Sequence, residues 1–173
     1  MIKYAGYYIT FQEVPNEVSL VLTITGCPRR CDGCHSPWLR DPELGNNLIE
    51  DLPGLLDKYK DAVTCVCFMG EGADEEAFET CVHMVWMRRL KVCLYSGADS
   101  FEDLPYIARF LNYIKLGHYN KLRGGLDIPG TNQRFYMNPC TINGARTWYH
   151  WCPAGLVDLT EEFQKKYLLD EYF

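Results

Sequence analysis

The chain has 173 residues, a length that fits a single domain over residues 1–173, and its 47% hydrophobic and 23% charged residues exclude a disordered or collagen-like protein. Its 17 basic and 23 acidic residues leave a net charge of −6, so nothing in the composition favours nucleic acid as a partner. Apolar runs such as residues 62–69 are too short to cross a bilayer and no secretory signal begins the chain, so we expect no membrane partner and a cytoplasmic location.

Strand and helix patterns alternate along the first two thirds of the chain. Apolar, partly β-branched runs predict strands at residues 18–24, 63–68, 92–95 and 113–116. Helices are predicted between them at residues 52–60, 74–88 and 101–111, with Asp51 and Ser100 as N-caps of the first and third. This alternation favours an α/β fold with a parallel sheet and right-handed crossovers.

The pattern is less regular after Gly117. Residues 117–133 are rich in glycine and asparagine and predict a long functional loop. Further strands are predicted at residues 134–137 and 145–151, and a last helix at 161–169, capped by Thr160.

Glycine and chemically active residues follow each of the four main predicted strands. They are Gly26-Cys27, then residues 69–72, then Ser96-Gly97, and last Gly117. Ligands of parallel sheets bind at the carboxyl ends of the strands, so we expect the functional site at this edge.

Nine cysteines are an odd and high number for this length. Without a secretory signal we expect no disulfide framework, and thiols that bind metal or are buried. Cys65, Cys67, Cys81 and Cys93 have apolar neighbours and are predicted to be small buried hydrophobes. Cys140, Cys152 and His150 carry a weaker hypothesis of a second metal site.

Cys27, Cys31 and Cys34 fall within eight residues, with the spacing C-x3-C-x2-C. Three soft thiolates this close favour an iron–sulfur cluster, and a cubane held by three cysteines keeps one iron open for a ligand. Two alternatives stay open: a zinc site completed by a distant residue, or three structural cysteines in a turn.

The loop at residues 26–37, GCPRRCDGCHSP, resembles the cluster-binding loop of radical S-adenosylmethionine (SAM) enzymes. More narrowly it is similar to that of the activating proteins of anaerobic (class III) ribonucleoside-triphosphate reductase. His35-Ser36 stands where that family has an aromatic–asparagine pair.

Later segments support the narrower resemblance. Gly70-Glu71 matches the family's Gly-Gly-Glu/Asp-Pro turn, although Met69 and Gly72 depart from it, and residues 94–97 are similar to its Thr-Gly-Tyr strand end. Residues 130–134 resemble a Gly-Ser-x-Asn-Gln-Arg element, and Gly117 matches the glycine of an Asp-Gly-Pro-Phe segment whose Asp is Leu116 here. The resemblance covers residues 5–137, and residues 138–173 are expected to be an extension packed on this core.

The resemblance implies an incomplete, TIM-like barrel of parallel strands and helices, one [4Fe–4S] cluster and SAM as cofactors. The implied activity is reductive cleavage of SAM to a 5′-deoxyadenosyl radical, which generates a glycyl radical on the large subunit of the anaerobic reductase. A flavodoxin- or ferredoxin-like protein would donate the electron. Positions that match the family's motifs, and that the resemblance assigns to the catalytic and cofactor site, are Cys27, Cys31, Cys34, Gly33, His35, Gly70, Glu71, Ser96 and Asn132.

Other functions stay open from the sequence. The chain is alternatively an activase of another glycyl-radical enzyme, a non-catalytic zinc-binding module, or a simple iron–sulfur electron carrier. Arg29 and Arg30 are expected to be solvated in the cysteine loop, and His118-Tyr119 to be a packed loop pair.

Overall fold

A computed structural model of the chain describes residues 1–142 and 155–170. The chain folds as two units. The first unit comprises Met1–Pro28 and Ser36–Tyr95, and the second comprises Arg29–His35 and Ser96–Phe173. The eight strands of the described residues make this a mixed α/β protein with parallel and antiparallel strand pairs.

The first unit contains five strands: β1 (Lys3–Thr10), β2 (Ser19–Ile24), β3 (Asn46–Asn47), β4 (Cys65–Met69) and β5 (Lys91–Tyr95). Their order is β3-β1-β2-β4-β5, and this set is open rather than closed. β2, β4 and β5 run parallel, whereas β1 is antiparallel to both of its neighbours. The predicted parallel arrangement is therefore confirmed for the three central strands.

Two helices, α1 (Leu48–Tyr59) and α2 (Glu75–Met87), connect the strands of the first unit. Each has an apolar face, with Leu52 and Leu56 buried on α1 and Phe78 buried on α2. The rings of Phe78 and Phe68 of β4 meet edge to face with centroids 5.3 Å apart. Burial of these faces stabilises the unit through the hydrophobic effect.

The second unit contains β6 (Tyr113–Leu116), β7 (Arg134–Met137), β8 (Val157–Asp158), α3 (Pro139–Ile142) and α4 (Thr160–Asp170). β7 pairs antiparallel with both β6 and β8. Phe135 of β7 is fully buried, and its ring lies 4.8 Å from that of Phe163 on α4. The predicted strand at 134–137 and the predicted last helix are confirmed, whereas the strand predicted at 145–151 lies outside the described residues.

The first helix begins earlier than predicted. Asn47, not Asp51, is its N-cap, and the Asn47 side chain accepts a hydrogen bond from the Ile49 amide at 3.2 Å. The side-chain amide of Asn47 also donates a hydrogen bond to the Glu50 carboxylate at 2.6 Å. The N-cap residue and the first turn of α1 therefore stabilise each other. The Asn47 side chain pairs with a backbone amide of the first turn that has no partner within the helix. The N-cap therefore lies four residues before Asp51, the predicted cap.

The prediction of one helix at residues 101–111 is wrong. Two short 3-10 segments, Phe101–Asp103 and Tyr106–Phe110, stand there instead. Leu104 is extended, with ψ of 154°, because the ring of Pro105 disfavours helical backbone in the residue before it.

No helix within residues 1–142 or 155–170 combines the length and apolar character needed to span a membrane.

Replacing Asn47 by alanine is expected to lower the free energy of unfolding by about 1 kcal/mol, because the Ile49 amide loses its acceptor. Urea denaturation followed by circular dichroism measures this. Lys60→Ala, at the exposed C-terminal end of the same helix, is the matched control and should change stability by less than about 0.5 kcal/mol. Equal stability of Asn47→Ala and the wild type would contradict the assigned cap.

Candidate functional site

Three parallel strands of the first unit end at the same edge. Thr23 of β2 lies opposite Met69 of β4, and Met69 lies opposite Tyr95 of β5. The Gly70 amide donates to the Tyr95 carbonyl at 2.9 Å immediately after β4. The segments that follow β2 and β4 therefore leave the sheet side by side, as the sequence predicted.

Glu71 follows Gly70 at this edge and is only 7% exposed. Glu71 is therefore a buried carboxyl residue and not a solvated residue of the turn. A carboxylate offers hydrogen-bond acceptors only, so Glu71 is suited to a ligand group that donates, such as an ammonium. A Cβ placed on Gly70 would lie 3.6 Å from the Cβ of Ile24, which shows how closely the two segments pack.

Cys27 lies just beyond the end of β2. Its amide donates to the Leu39 carbonyl at 3.0 Å, and the Thr25 hydroxyl donates to the Leu44 carbonyl at 2.9 Å. These bonds fix the backbone where the chain leaves the strand. Cys27 is half-buried and is not in a disulfide.

Cys31 and Cys34 occupy the two ends of one tight turn in the second unit. The Cys34 amide approaches the Cys31 carbonyl at 3.4 Å, so the two α-carbons come within about 7 Å of each other. Gly33, the residue before Cys34, has φ of +69°, a left-handed conformation that glycine adopts without steric cost. Both cysteines are half-buried and neither is in a disulfide.

The segment Arg29–His35 contacts the loop that follows β6. A Cβ placed on Gly33 would lie 3.4 Å from the Cβ of Lys121, and the His35 ring meets Tyr119 edge to face at 5.7 Å. Arg29 is half-buried and donates to the Asp103 carbonyl at 3.0 Å, so the expectation of a solvated Arg29 is wrong. The ring contact between His35 and Tyr119 and the hydrogen bond of the half-buried Arg29 thus support the cysteine turn.

Ser96 closes a buried turn rather than presenting a free hydroxyl. Its Oγ accepts a hydrogen bond from the Ala98 amide at 3.0 Å, and the side chain is only 1% exposed. The Ser96 amide donates to the Lys115 carbonyl and the Gly117 amide donates to the Ala98 carbonyl. Ser96 therefore positions the backbone beside the end of β6.

Lys115 of β6 is a polar residue of this region that the sequence analysis missed. It is only 8% exposed, and its ammonium donates to the Gly117 carbonyl at 2.7 Å and approaches the Ser96 carbonyl at 3.4 Å. One feature of the sequence points to Lys115: it is a charged residue inside a strand whose other three residues are apolar. A buried ammonium needs such acceptors, since desolvation of its charge is costly.

His118 connects two loops of the second unit. Its ring Nδ1 lies 2.7 Å from Asp99 Oδ1, and its amide donates to the same oxygen at 3.2 Å. Asn132 donates through Nδ2 to the His118 carbonyl at 2.9 Å. Within the described part of the chain, the buried Asn132 Oδ1 has no hydrogen-bond partner, which makes it an acceptor suited to a ligand.

The His118 ring, its backbone amide and the nearby Arg29 together lower the pKa of the Asp99 carboxyl, with the ring hydrogen bond as the largest contribution. A lowered pKa means that the folded chain favours the ionised carboxylate.

The remaining described free cysteines differ from the three in the loop. Cys65, Cys67, Cys81 and Cys93 are fully buried, as predicted. Burial raises the pKa of the Cys81 thiol to about 12, and it also raises the pKa values of Cys65 and Cys93 well above the ordinary thiol value. Protonated, solvent-excluded thiols are poor metal ligands.

Cys140 forms a disulfide, so the expectation of free thiols is wrong at this position, and an oxidised sulfur cannot serve as a thiolate ligand. His150 and Cys152 of the second-site hypothesis lie outside the described residues.

No group of three or more His, Cys, Asp or Glu side chains within residues 1–142 and 155–170 is arranged to hold a metal ion. The donor set of the loop nevertheless fits an iron–sulfur cluster in its chemistry. Its three cysteines are half-buried and outside any disulfide, and Cys31 and Cys34 share one turn. Thiolates are the ligands that such clusters take in proteins.

Gly117→Ala is expected to destabilise the fold more than Gly130→Ala, although both glycines have positive φ. A Cβ at 117 would lie 2.8 Å from the Asn132 carbonyl oxygen, whereas nothing lies within 4 Å of one at 130. We expect a loss of about 1 kcal/mol for Gly130→Ala and roughly 3 kcal/mol for Gly117→Ala. Chemical denaturation of both variants measures the difference, and equal losses would contradict the close approach of the two segments.

Asp99→Asn is expected to destabilise the chain at neutral pH and to have no effect in acid. The pKa of Asp99 is lower in the folded chain than in the unfolded chain. The ionised carboxylate therefore stabilises the fold at pH values above the ordinary pKa of a carboxyl group, and this stabilisation is lost as the pH falls through the lowered pKa. Unfolding free energies of variant and wild type from neutral pH down to about pH 2 give this profile. Asp61→Asn, at an exposed site, should show no such pH-dependent difference, and a constant effect of Asp99→Asn would contradict the assignment.

No family model, curated protein or solved structure matches this chain. Its function is therefore argued from the residues of the site and their surroundings.

Proposed function

We propose that the chain is a radical SAM activase that generates a glycyl radical on the anaerobic ribonucleoside-triphosphate reductase. One observation carries the proposal. The three cysteines of the C-x3-C-x2-C loop are half-buried and outside any disulfide, whereas Cys65, Cys67, Cys81 and Cys93 are fully buried. The chain thus keeps accessible the thiols whose spacing suits a three-cysteine cluster. The fold that we propose with it is a partial, TIM-like barrel.

Cys27, Cys31 and Cys34 would ligate a [4Fe–4S] cluster, which when bound supplies the electron for reductive cleavage of SAM. The chain's own contribution is to hold the ligands. Asp32 and Gly33, between Cys31 and Cys34, are exposed, and because Gly33 has no side chain a ligand could approach its backbone amide closely. Such amides stabilise sulfur that carries negative charge.

Binding of SAM requires acceptors for its ammonium, its ribose hydroxyls and its adenine amine. The buried Glu71 carboxylate offers one such acceptor, and the buried Asn132 Oδ1 offers another. Asn132 keeps its orientation because Nδ2 is hydrogen-bonded to the His118 carbonyl. Ser96 and Gly70 would act through the backbone turns that they form, and His35 through its ring contact with Tyr119.

The reductase as substrate, and a flavodoxin- or ferredoxin-like donor, follow from the resemblance of the loop to reductase activases. An activase of a different glycyl-radical enzyme would use the same residues in the same way. Assay of the reconstituted chain against both kinds of glycyl-radical enzyme separates these two activities.

Anaerobic reconstitution with iron and sulfide is expected to give about four of each per chain and dithionite-dependent release of 5′-deoxyadenosine from SAM. Cys31→Ala should abolish this release, because one cluster ligand is lost. Cys81→Ala is the matched control, since that thiol is fully buried on α2, and should release 5′-deoxyadenosine like the wild type. Metal analysis, absorbance and product chromatography are the measurements.

Two outcomes would overturn the proposal. Release of 5′-deoxyadenosine by Cys31→Ala would show that the ligand assignment is wrong. One zinc ion per chain with no cleavage of SAM would instead support the zinc-binding module.

A further inference from the structure

A small rigid turn follows β6 and presents two cations and one apolar side chain. Residues 120–124 form this turn, which we call the basic tip. The amides of Arg123 and Gly124 both donate to the Asn120 carbonyl, and the Asn120 side chain accepts from the Leu122 amide at 2.9 Å. Three hydrogen bonds to one asparagine fix the backbone, so the tip presents its side chains with little loss of entropy on binding.

No element within residues 1–142 and 155–170 covers the three side chains of residues 121–123 in the basic tip. Leu122 is 96% exposed, and its neighbours Lys121 and Arg123 are also exposed. A single apolar side chain between two cations is the pattern of a small binding surface, in which the apolar group is desolvated and the charges steer the partner.

The basic tip lies directly against the cysteine turn of the same unit. The Lys121 side chain is the nearest neighbour of Gly33, at 3.4 Å from a Cβ placed there. Tyr119, one residue before the tip, contacts His35, the residue after Cys34. A protein that docks on the tip is therefore brought beside Cys31 and Cys34.

The charge of this region is opposite to that of the whole chain. The segments 29–35 and 118–124 contain four basic residues (Arg29, Arg30, Lys121 and Arg123) and one acidic residue (Asp32), in a chain of net charge −6. A local positive patch on an acidic protein attracts an acidic partner to one place and repels it elsewhere.

We propose that the basic tip is the docking site of an acidic one-electron carrier protein, with Leu122 as its apolar anchor. This inference rests on the proposed function, which needs an external electron. In the docked complex the reduced carrier loses one electron and the metal centre at the cysteine loop gains it, with no transfer of atoms. A patch of this size suits a transient complex, which an electron carrier needs in order to dissociate after each transfer.

The first test is binding of a reduced flavodoxin, an acidic flavin protein, to the purified chain by isothermal titration calorimetry. Lys121→Glu is expected to raise the Kd about tenfold at about 0.05 M salt and much less at about 0.5 M salt, because salt screens exposed charges. Leu122→Ala should raise the Kd at both salt concentrations. Lys60→Glu, the same charge change at an exposed site on the first unit, is the matched control and should leave the Kd within about twofold.

The second test separates docking from chemistry in the reconstituted chain. Lys121→Glu and Leu122→Ala should cleave SAM at the wild-type rate with dithionite, a small reductant that needs no docking, and about tenfold more slowly with limiting reduced flavodoxin. Wild-type rates with both reductants, together with an unchanged Kd, would overturn the docking site. No cleavage with dithionite by the wild type would instead overturn the proposed function.

Discussion

The proposed chemistry depends on one backbone interaction, the approach of the Cys34 amide to the Cys31 carbonyl. That turn requires a left-handed residue just before its last position, and Gly33 supplies it. A bulkier residue there would meet Lys121 as well as strain the backbone. The turn has Cys31 and Cys34 at its ends, and the two residues between them are exposed. The proposed cluster ligation and the proposed docking of a partner both depend on this geometry.

The surroundings of the turn are rigid because polar groups inside the second unit are paired with one another. The Lys115 ammonium donates to the carbonyls of Gly117 and Ser96, and the Ser96 Oγ accepts a hydrogen bond from the Ala98 amide. Buried polar groups that are satisfied in this way define one arrangement of the chain, since any other would leave a charge or a carbonyl without a partner. The buried Asn132 Oδ1 is an exception, because it has no hydrogen-bond partner within the described residues and is suited to accept one from a ligand.

Sequence patterns predicted β2, β4, β5, β6 and β7, but they missed β1, β3 and β8 and placed the helices less well. Residues 65–69 are apolar, and the first four of them are buried, so a run of this kind is readable as a strand of a parallel sheet. The start of α1 depended on whether Asn47 or Asp51 capped it, and both residue types cap helices equally well. Pro105 ends the helical backbone at this point, because its ring disfavours helical conformation in Leu104. The roles of Lys115 and of the Asp99–His118 pair depend on contacts between distant segments, which no local pattern encodes.

The contrast among the cysteines is the strongest link between structure and proposed chemistry. Spacing alone singles out Cys27, Cys31 and Cys34, but spacing does not decide whether a thiol is reachable. Burial decides it: the thiols of Cys65, Cys81 and Cys93 have raised pKa values and no solvent contact, so they remain protonated and inert. The three loop cysteines are only half-buried and are not in disulfides. Two independent properties, position along the chain and access to solvent, thus select the same three sulfurs, and a thiolate-ligated centre requires both.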